Sequence, residues 1–127
     1  MAEWRYFNPN PDKLRTGDCV IRAVCAATGK PWQEVYTGVA LAGLALSDMP
    51  SSNRIWRFYL KSLGFSRHTI PDTCPDCYTV NDFAEEHPKG TYILGTGTHA
   101  VCVKNGITLD TFDSRGECPQ YYYTKER

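Results

Sequence analysis

The sequence predicts an α+β domain, and three features point there. Apolar residues recur at helical spacing through the first half of the chain. The last third changes to short alternating runs rich in Tyr, Val, Ile and Thr. Between two of those runs lies Asn105-Gly106, a dipeptide suited to the two-residue turn of a β-hairpin. Helices followed by an antiparallel meander make one layered domain. The 127 residues suit a single domain, read as an extended arm over 1–16, a helical part over 17–64 and an antiparallel sheet over 89–124.

The elements follow in order. Asn8-Pro9-Asn10-Pro11 keeps the arm extended, because a residue before proline is pushed toward β or polyproline geometry. A first helix follows, with Thr16 or Asp18 as cap and Val20, Ala23, Val24 and Ala27 as its apolar stripe. Gly29 ends it by taking the left-handed cap. A second helix opens at Pro31, where a missing N–H costs nothing, and runs to about Leu44. A third carries Ile55, Trp56, Tyr59, Leu60 and Leu63 and stops at Gly64. Residues 66–78 read as a loop. Thr79 caps a short helix to Glu86, with Asp82 three residues on as the capping-box partner. Strands are expected from Thr91, over 98–104, over 107–112 and at Tyr121–Tyr123.

Composition narrows the function. Fourteen Lys and Arg balance fourteen Asp and Glu, with a pI near 6.8. A nucleic-acid binder carries a basic stripe, and an anionic membrane attracts a basic face. Neither partner is expected. The first residues lack a basic segment followed by an apolar run, and Val39–Leu46 is too short to span a bilayer. A cytoplasmic protein with six reduced cysteines is the expectation.

Candidate chemistry centres on Cys19. The thiolate is the reactive form of cysteine, and a helix N-terminus with a nearby imidazolium lowers its pKa. Cys19 falls in the first turn of the first helix, after Gly17-Asp18, where its own N–H is open to a developing oxyanion. Of the three histidines, His99 stands at the mouth of the apolar strand Ala100-Val101-Cys102-Val103. A base needs an orienting partner. A two-residue turn at Asn105-Gly106 pairs Lys104 with Ile107 and sets Asp110 diagonal to His99. A three-residue loop would bring Asp113 there instead.

Gly17-Asp18-Cys19 opening a helix, then Thr98-His99-Ala100-Val101, then Leu109-Asp110-Thr111, resembles the papain-like cysteine peptidase superfamily, in particular its small bacterial and phage members. The likeness spans residues 17–113. It implies a helix packed on an antiparallel sheet, with Cys19 as nucleophile, His99 as base and Asp110 as orienter. It further implies a thiol hydrolase, a peptidase or isopeptidase, that acts on a peptide or protein through an acyl-thioester and needs no cofactor. Acyl transfer of the transglutaminase-like kind uses the same three residues, and a partner-binding module can keep the same fold. The sequence departs from the family at Val20, which follows Cys19, and at Lys13, where the upstream glutamine of the oxyanion hole is missing. Asn8 and Asn10 are the nearby side chains able to replace that donor.

The other cysteines have plainer roles. Cys25 and Cys102 lie in apolar stretches and read as core thiols. Cys74-Pro75-Asp76-Cys77 has the spacing of half a structural zinc site, with His68, His87 or Cys118 as completing ligands. A second close pair is absent from the sequence, so no metal is assigned.

Overall fold

The structure is a computed structural model that describes residues 1–71 and 76–125. It is an α+β fold of four helices and one mixed six-stranded sheet. The helices are α1 (Cys19–Thr28), α2 (Trp32–Leu46), α3 (Asn53–Ser62) and α4 (Val80–Glu86). The strands are β1 (Glu3–Tyr6), β2 (Phe65–Thr69), β3 (Thr91–Gly95), β4 (Ala100–Lys104), β5 (Ile107–Asp110) and β6 (Tyr121–Lys125). Their order across the sheet is β1-β5-β4-β3-β6-β2. All neighbours run antiparallel except β1, which lies parallel to β5 and pairs Tyr6 with Asp110.

Two strands lie outside the expected sheet. The arm contributes β1, and the stretch expected to be a loop over 66–78 begins with β2. Both are edge strands, and their residues are largely polar and exposed on at least one side, so period-two alternation is faint. The sheet is therefore mixed and wider than the antiparallel unit over 89–124.

The local signals act where they were expected. Gly29 takes the left-handed conformation, φ 77°, and its N–H closes on the Cys25 carbonyl. Thr79 and Asp82 form a complete capping box at α4. Asn105 and Gly106 both have positive φ, and Lys104 pairs Ile107 across them. Asp18 is the cap residue of α1, yet its carboxylate makes no bond to the helix amides and turns to other partners. Gly17 permits no close approach, because a Cβ there would meet only open space.

The sheet is covered on both faces. On one, α1, α2 and α3 bury Val24, Val35, Ile55, Trp56 and Leu60 against Ile93, Cys102, Tyr121 and Tyr123. On the other, α4 buries Val80 and Phe83 against Leu94, Val101 and Val103. Each fully buried aliphatic or aromatic side chain contributes about 1.5–3 kcal/mol. Cys77 and Cys118 are joined as a disulfide with Cα atoms 6.3 Å apart. That pair departs from the expected six reduced thiols. No described helix is long and apolar enough to cross a membrane.

One close contact links the sheet to the site. The Tyr121 ring lies flat against the backbone of Gly95, so a Cβ there would fall 2.2 Å from it. Replacing Gly95 by Ala forces Tyr121 off its seat, and a loss of about 1–3 kcal/mol is expected in urea unfolding. Gly97→Ala meets only an ordinary contact with Gln120 at 3.7 Å and is expected to change stability by less than ~0.5 kcal/mol.

Candidate active site

The site forms where the N-terminus of α1 meets the start of β4. Cys19 is the first residue of α1, half-buried, and its N–H has no partner within the helix. The Thr96 hydroxyl accepts from the backbone N–H groups of Thr98 and His99, at 3.2 and 2.9 Å. The Thr96 N–H in turn donates to the His99 carbonyl at 2.8 Å. This small turn holds the His99 backbone immediately ahead of β4. Both Cys19 and His99 line a cavity of about 210 Å³, together with Ser51, Asn53, Trp56 and Tyr121.

The side chains meet in sequence order. His99 faces Cys19 across the shared cavity, near enough for each to shift the other's pKa, and its Nε2 donates to Asp110 Oδ2 at 2.7 Å. With Nε2 committed to Asp110, Nδ1 is the nitrogen that faces the sulfur. Asp110 is the last residue of β5 and wholly buried. It falls beside His99 because the hairpin register is the two-residue one. Asp113 lies elsewhere: its exposed carboxylate is bound by its near neighbour Arg115 at 2.7 and 2.8 Å.

A buried carboxylate needs donors on every lone pair it exposes to the interior. Asp110 has them. Oδ1 accepts from Arg22 at 3.0 and 3.1 Å and from the Thr111 N–H at 2.8 Å. Oδ2 accepts from His99 and from the Ser114 hydroxyl at 2.7 Å. Arg22 is itself 4% exposed and also donates to Asp18 Oδ1 at 2.7 Å. The other oxygen of Asp18 accepts from the Trp32 indole at 2.9 Å. A line of alternating charge runs through the interior: Asp18, Arg22, Asp110, His99, Cys19.

This arrangement sets the protonation states. Burial pushes the Cys19 thiol up, but the His99 hydrogen bond, the Ala100 N–H and the charges of His99 and Arg22 hold it below an ordinary thiol. Burial likewise opposes charge on His99, yet its hydrogen bonds to Asp110 and Cys19 and their negative charges raise it to about 9. Burial also pushes Asp110 up, and its bonds to His99 and Ser114, with the charges of His99 and Arg22, hold it below the usual carboxylate value. All three displacements run toward the thiolate–imidazolium–carboxylate form. The core thiols go the opposite way. Burial raises Cys25 to about 11 and Cys102 to about 12.

Asn8 and Asn10 do not reach the site. Both are buried in the arm, where the Asn8 amide donates to the Leu14 carbonyl at 3.2 Å. The Asn10 oxygen accepts from the N–H groups of Asp12 and Leu14. Asn53, at the start of α3, is the amide side chain that lines the cavity. Its Oδ1 accepts from Trp56 Nε1 at 3.0 Å. An indole only donates, so this bond fixes the amide orientation and leaves Nδ2 as its donor end.

Sequence reasoning missed Arg22, Ser114 and Asn53. Arg22 had a visible signal, being a charge three residues after Cys19 inside an apolar helix. Asn53 had none, since it reaches the site through tertiary packing alone; Ser114 lies four residues after Asp110, and residue type does not show that the loop turns its hydroxyl back. The suggested zinc ligands do not gather: Cys77 is bonded to Cys118, and His87 stacks on Phe83 with Nδ1 bonded to the Phe83 carbonyl. His68 stacks on Tyr122, and Cys74 lies outside the described residues. No group of three His, Cys, Asp or Glu able to hold a metal occurs among the described residues.

Compared with known proteins, the chain matches no family model, no curated protein and no solved structure.

Arg22 is the sole cation that meets both buried carboxylates among the described residues. Removing one member of a buried ion pair typically costs 3–5 kcal/mol, because the other charge stays buried. Arg22→Met is expected to lose about that much in urea unfolding. Asp113→Asn, on the exposed pair, is expected to change stability by less than about 1 kcal/mol.

Proposed function

We propose that the protein is a thiol hydrolase of papain-like layout that cleaves a peptide or isopeptide bond through an acyl-thioester on Cys19. The observation that carries this is the contact chain Cys19–His99–Asp110, closed by a 2.7 Å bond to a fully buried carboxylate. Buried charge of this kind, with pKa values displaced in opposite directions and opening on a cavity, is the signature of a reactive centre.

The Cys19 thiolate attacks the carbonyl carbon of the scissile bond. The carbonyl oxygen takes up negative charge, and the Cys19 N–H and Asn53 Nδ2, from two residues that line the cavity, are the donors assigned to it in this reading. Collapse breaks the C–N bond, and His99 gives its Nδ1 proton to the leaving amine. A water then attacks the thioester while His99 takes its proton, and the acid product leaves Cys19 as thiolate beside His99 as imidazolium. Asp110 holds the imidazole in place throughout and stabilises its positive form. An amine in place of the water gives acyl transfer, and product mass tells the two apart.

The test is site-specific alkylation with iodoacetamide at pH 6, read by peptide mass spectrometry. Cys19 is expected to react at least about tenfold faster than an ordinary thiol, while Cys25 and Cys102 stay unmodified, and His99→Ala is expected to remove the advantage. A Cys19 no faster than an ordinary thiol would sink the proposal and favour a partner-binding role on the same fold.

The pH profile follows from the same groups. Thiolate formation at Cys19 sets the rising limb, below the ordinary thiol range. Loss of the His99 proton sets the falling limb, near pH 9, because the leaving amine can no longer be protonated. A bell-shaped kcat/KM with that alkaline limb is expected for turnover of a peptide substrate. A rate still rising above pH 10 would show that no general acid takes part.

A further inference from the structure

We infer that the reactive centre continues into a groove that selects substrates carrying a carboxylate, with Arg67 as the recognising group. This rests on the proposed hydrolase and names the class of substrate it takes. Beside the small cavity at Cys19 lies a larger one of about 760 Å³. The two share Asn53 and Tyr121 in their linings, so they are adjacent. A volume of that size is typical of a ligand site.

The chemistry of the groove is one-sided. Arg67 is the charged group among its described lining, beside the neutral polar groups of Asn53, Thr69, Tyr78 and Gln120, and none of the described residues lining either cavity is acidic. Arg67 lies on β2 opposite Tyr123, and its guanidinium sits over the Tyr121 ring at 4.3 Å. Stacking on that ring, with Tyr123 opposite on the neighbouring strand, orients the guanidinium. Its remaining N–H groups form a fork of the kind that binds a carboxylate through two bonds.

The other arginines sharpen the contrast. Arg5, Arg22, Arg54 and Arg115 each meet a carboxylate. Among the described residues Arg15, Arg57 and Arg67 meet none; Arg15 is occupied by the Thr111 carbonyl, whereas Arg57 acts on the same Tyr123 as Arg67, from α3. In a chain with equal numbers of acids and bases, two guanidinium groups near one tyrosine without an acid leave a local positive field. A peptide lying along the groove with its scissile bond at Cys19 brings its neighbouring residues past Tyr121 to Arg67. A carboxylate there, from an acidic side chain or a chain terminus, completes the fork.

The test is an NMR titration of the wild-type protein with three probes: acetyl-Glu-Gly-amide, acetyl-Gln-Gly-amide, and acetyl-Gln-Gly with a free carboxylate. At least one carboxylate probe is expected to bind about tenfold more tightly than the uncharged one, with shifts at Gln120, Tyr121 and the Arg67 side chain. Which of the two does so tells a side-chain from a terminal carboxylate. Arg67→Gln is expected to remove the preference, and Arg57→Gln to weaken it. Equal affinity for all three probes, absence of binding, or a preference unchanged in Arg67→Gln overturns the inference. Binding is read without turnover, so an unreactive Cys19 defeats the proposed hydrolase without touching this result, and a reactive Cys19 with no carboxylate preference defeats the groove alone.

Discussion

Asp110 is buried completely, and the rest of the site is arranged around keeping its charge satisfied. An isolated carboxylate in the interior costs several kcal/mol. Four groups prevent that: Arg22 from the distant α1, His99 ahead of β4, and the adjacent Thr111 amide and nearby Ser114 hydroxyl from the loop after β5. Those same bonds fix where α1 lies on the sheet. Because Arg22 and Cys19 share the first turns of α1, the contact that neutralises Asp110 also brings the sulfur to His99. One carboxylate thus couples fold and site.

The magnitudes suggest what this network contributes. At 3.0 Å and an effective dielectric of about 20, the Arg22–Asp110 attraction is roughly 5 kcal/mol. Desolvation of the two ions costs several kcal/mol each, so the net gain to stability is small. The core aromatics and aliphatics around Trp56, Ile55 and Leu60 hold the domain together. The buried charges instead select one geometry, since an alternating row of acid and base leaves each member a single low-energy place. That is the condition the proposed thiol chemistry requires, because a misplaced imidazole neither activates the sulfur nor protonates a leaving group.

Much of the fold is readable in local sequence, and the part that is not has a physical reason. The cap at Gly29, the capping box at Thr79 and Asp82, and the turn at Asn105-Gly106 depend on bonds within a few residues, so residue type and spacing suffice. Because that turn fixes register, the neighbourhood of His99 and Asp110 is readable as well. β1 and β2 are stabilised by partners about a hundred and about fifty-five residues away, and nothing in Glu3–Tyr6 or Phe65–Thr69 encodes those partners. Asn53 is invisible for the same reason, whereas Ser114 is only four residues beyond Asp110 and depends on the turn taken by the loop after β5. Arg22 is intermediate: its place in an apolar helix announces a buried partner but not which one.

Tyr121 shows how the two outer strands come to matter for function. β6 pairs with β3 on one side and β2 on the other, so Tyr121 stands opposite Gly95 and opposite Thr69. Gly95 leaves room for its ring to lie down, and the ring then forms a wall shared by the reactive cavity and the larger groove. Over the face of the same ring sits the Arg67 guanidinium. The edge strand that carries the weakest sequence signal is therefore the one that sets a cation-bearing wall beside the Cys19 cavity, and it is this wall that gives the proposed site its direction.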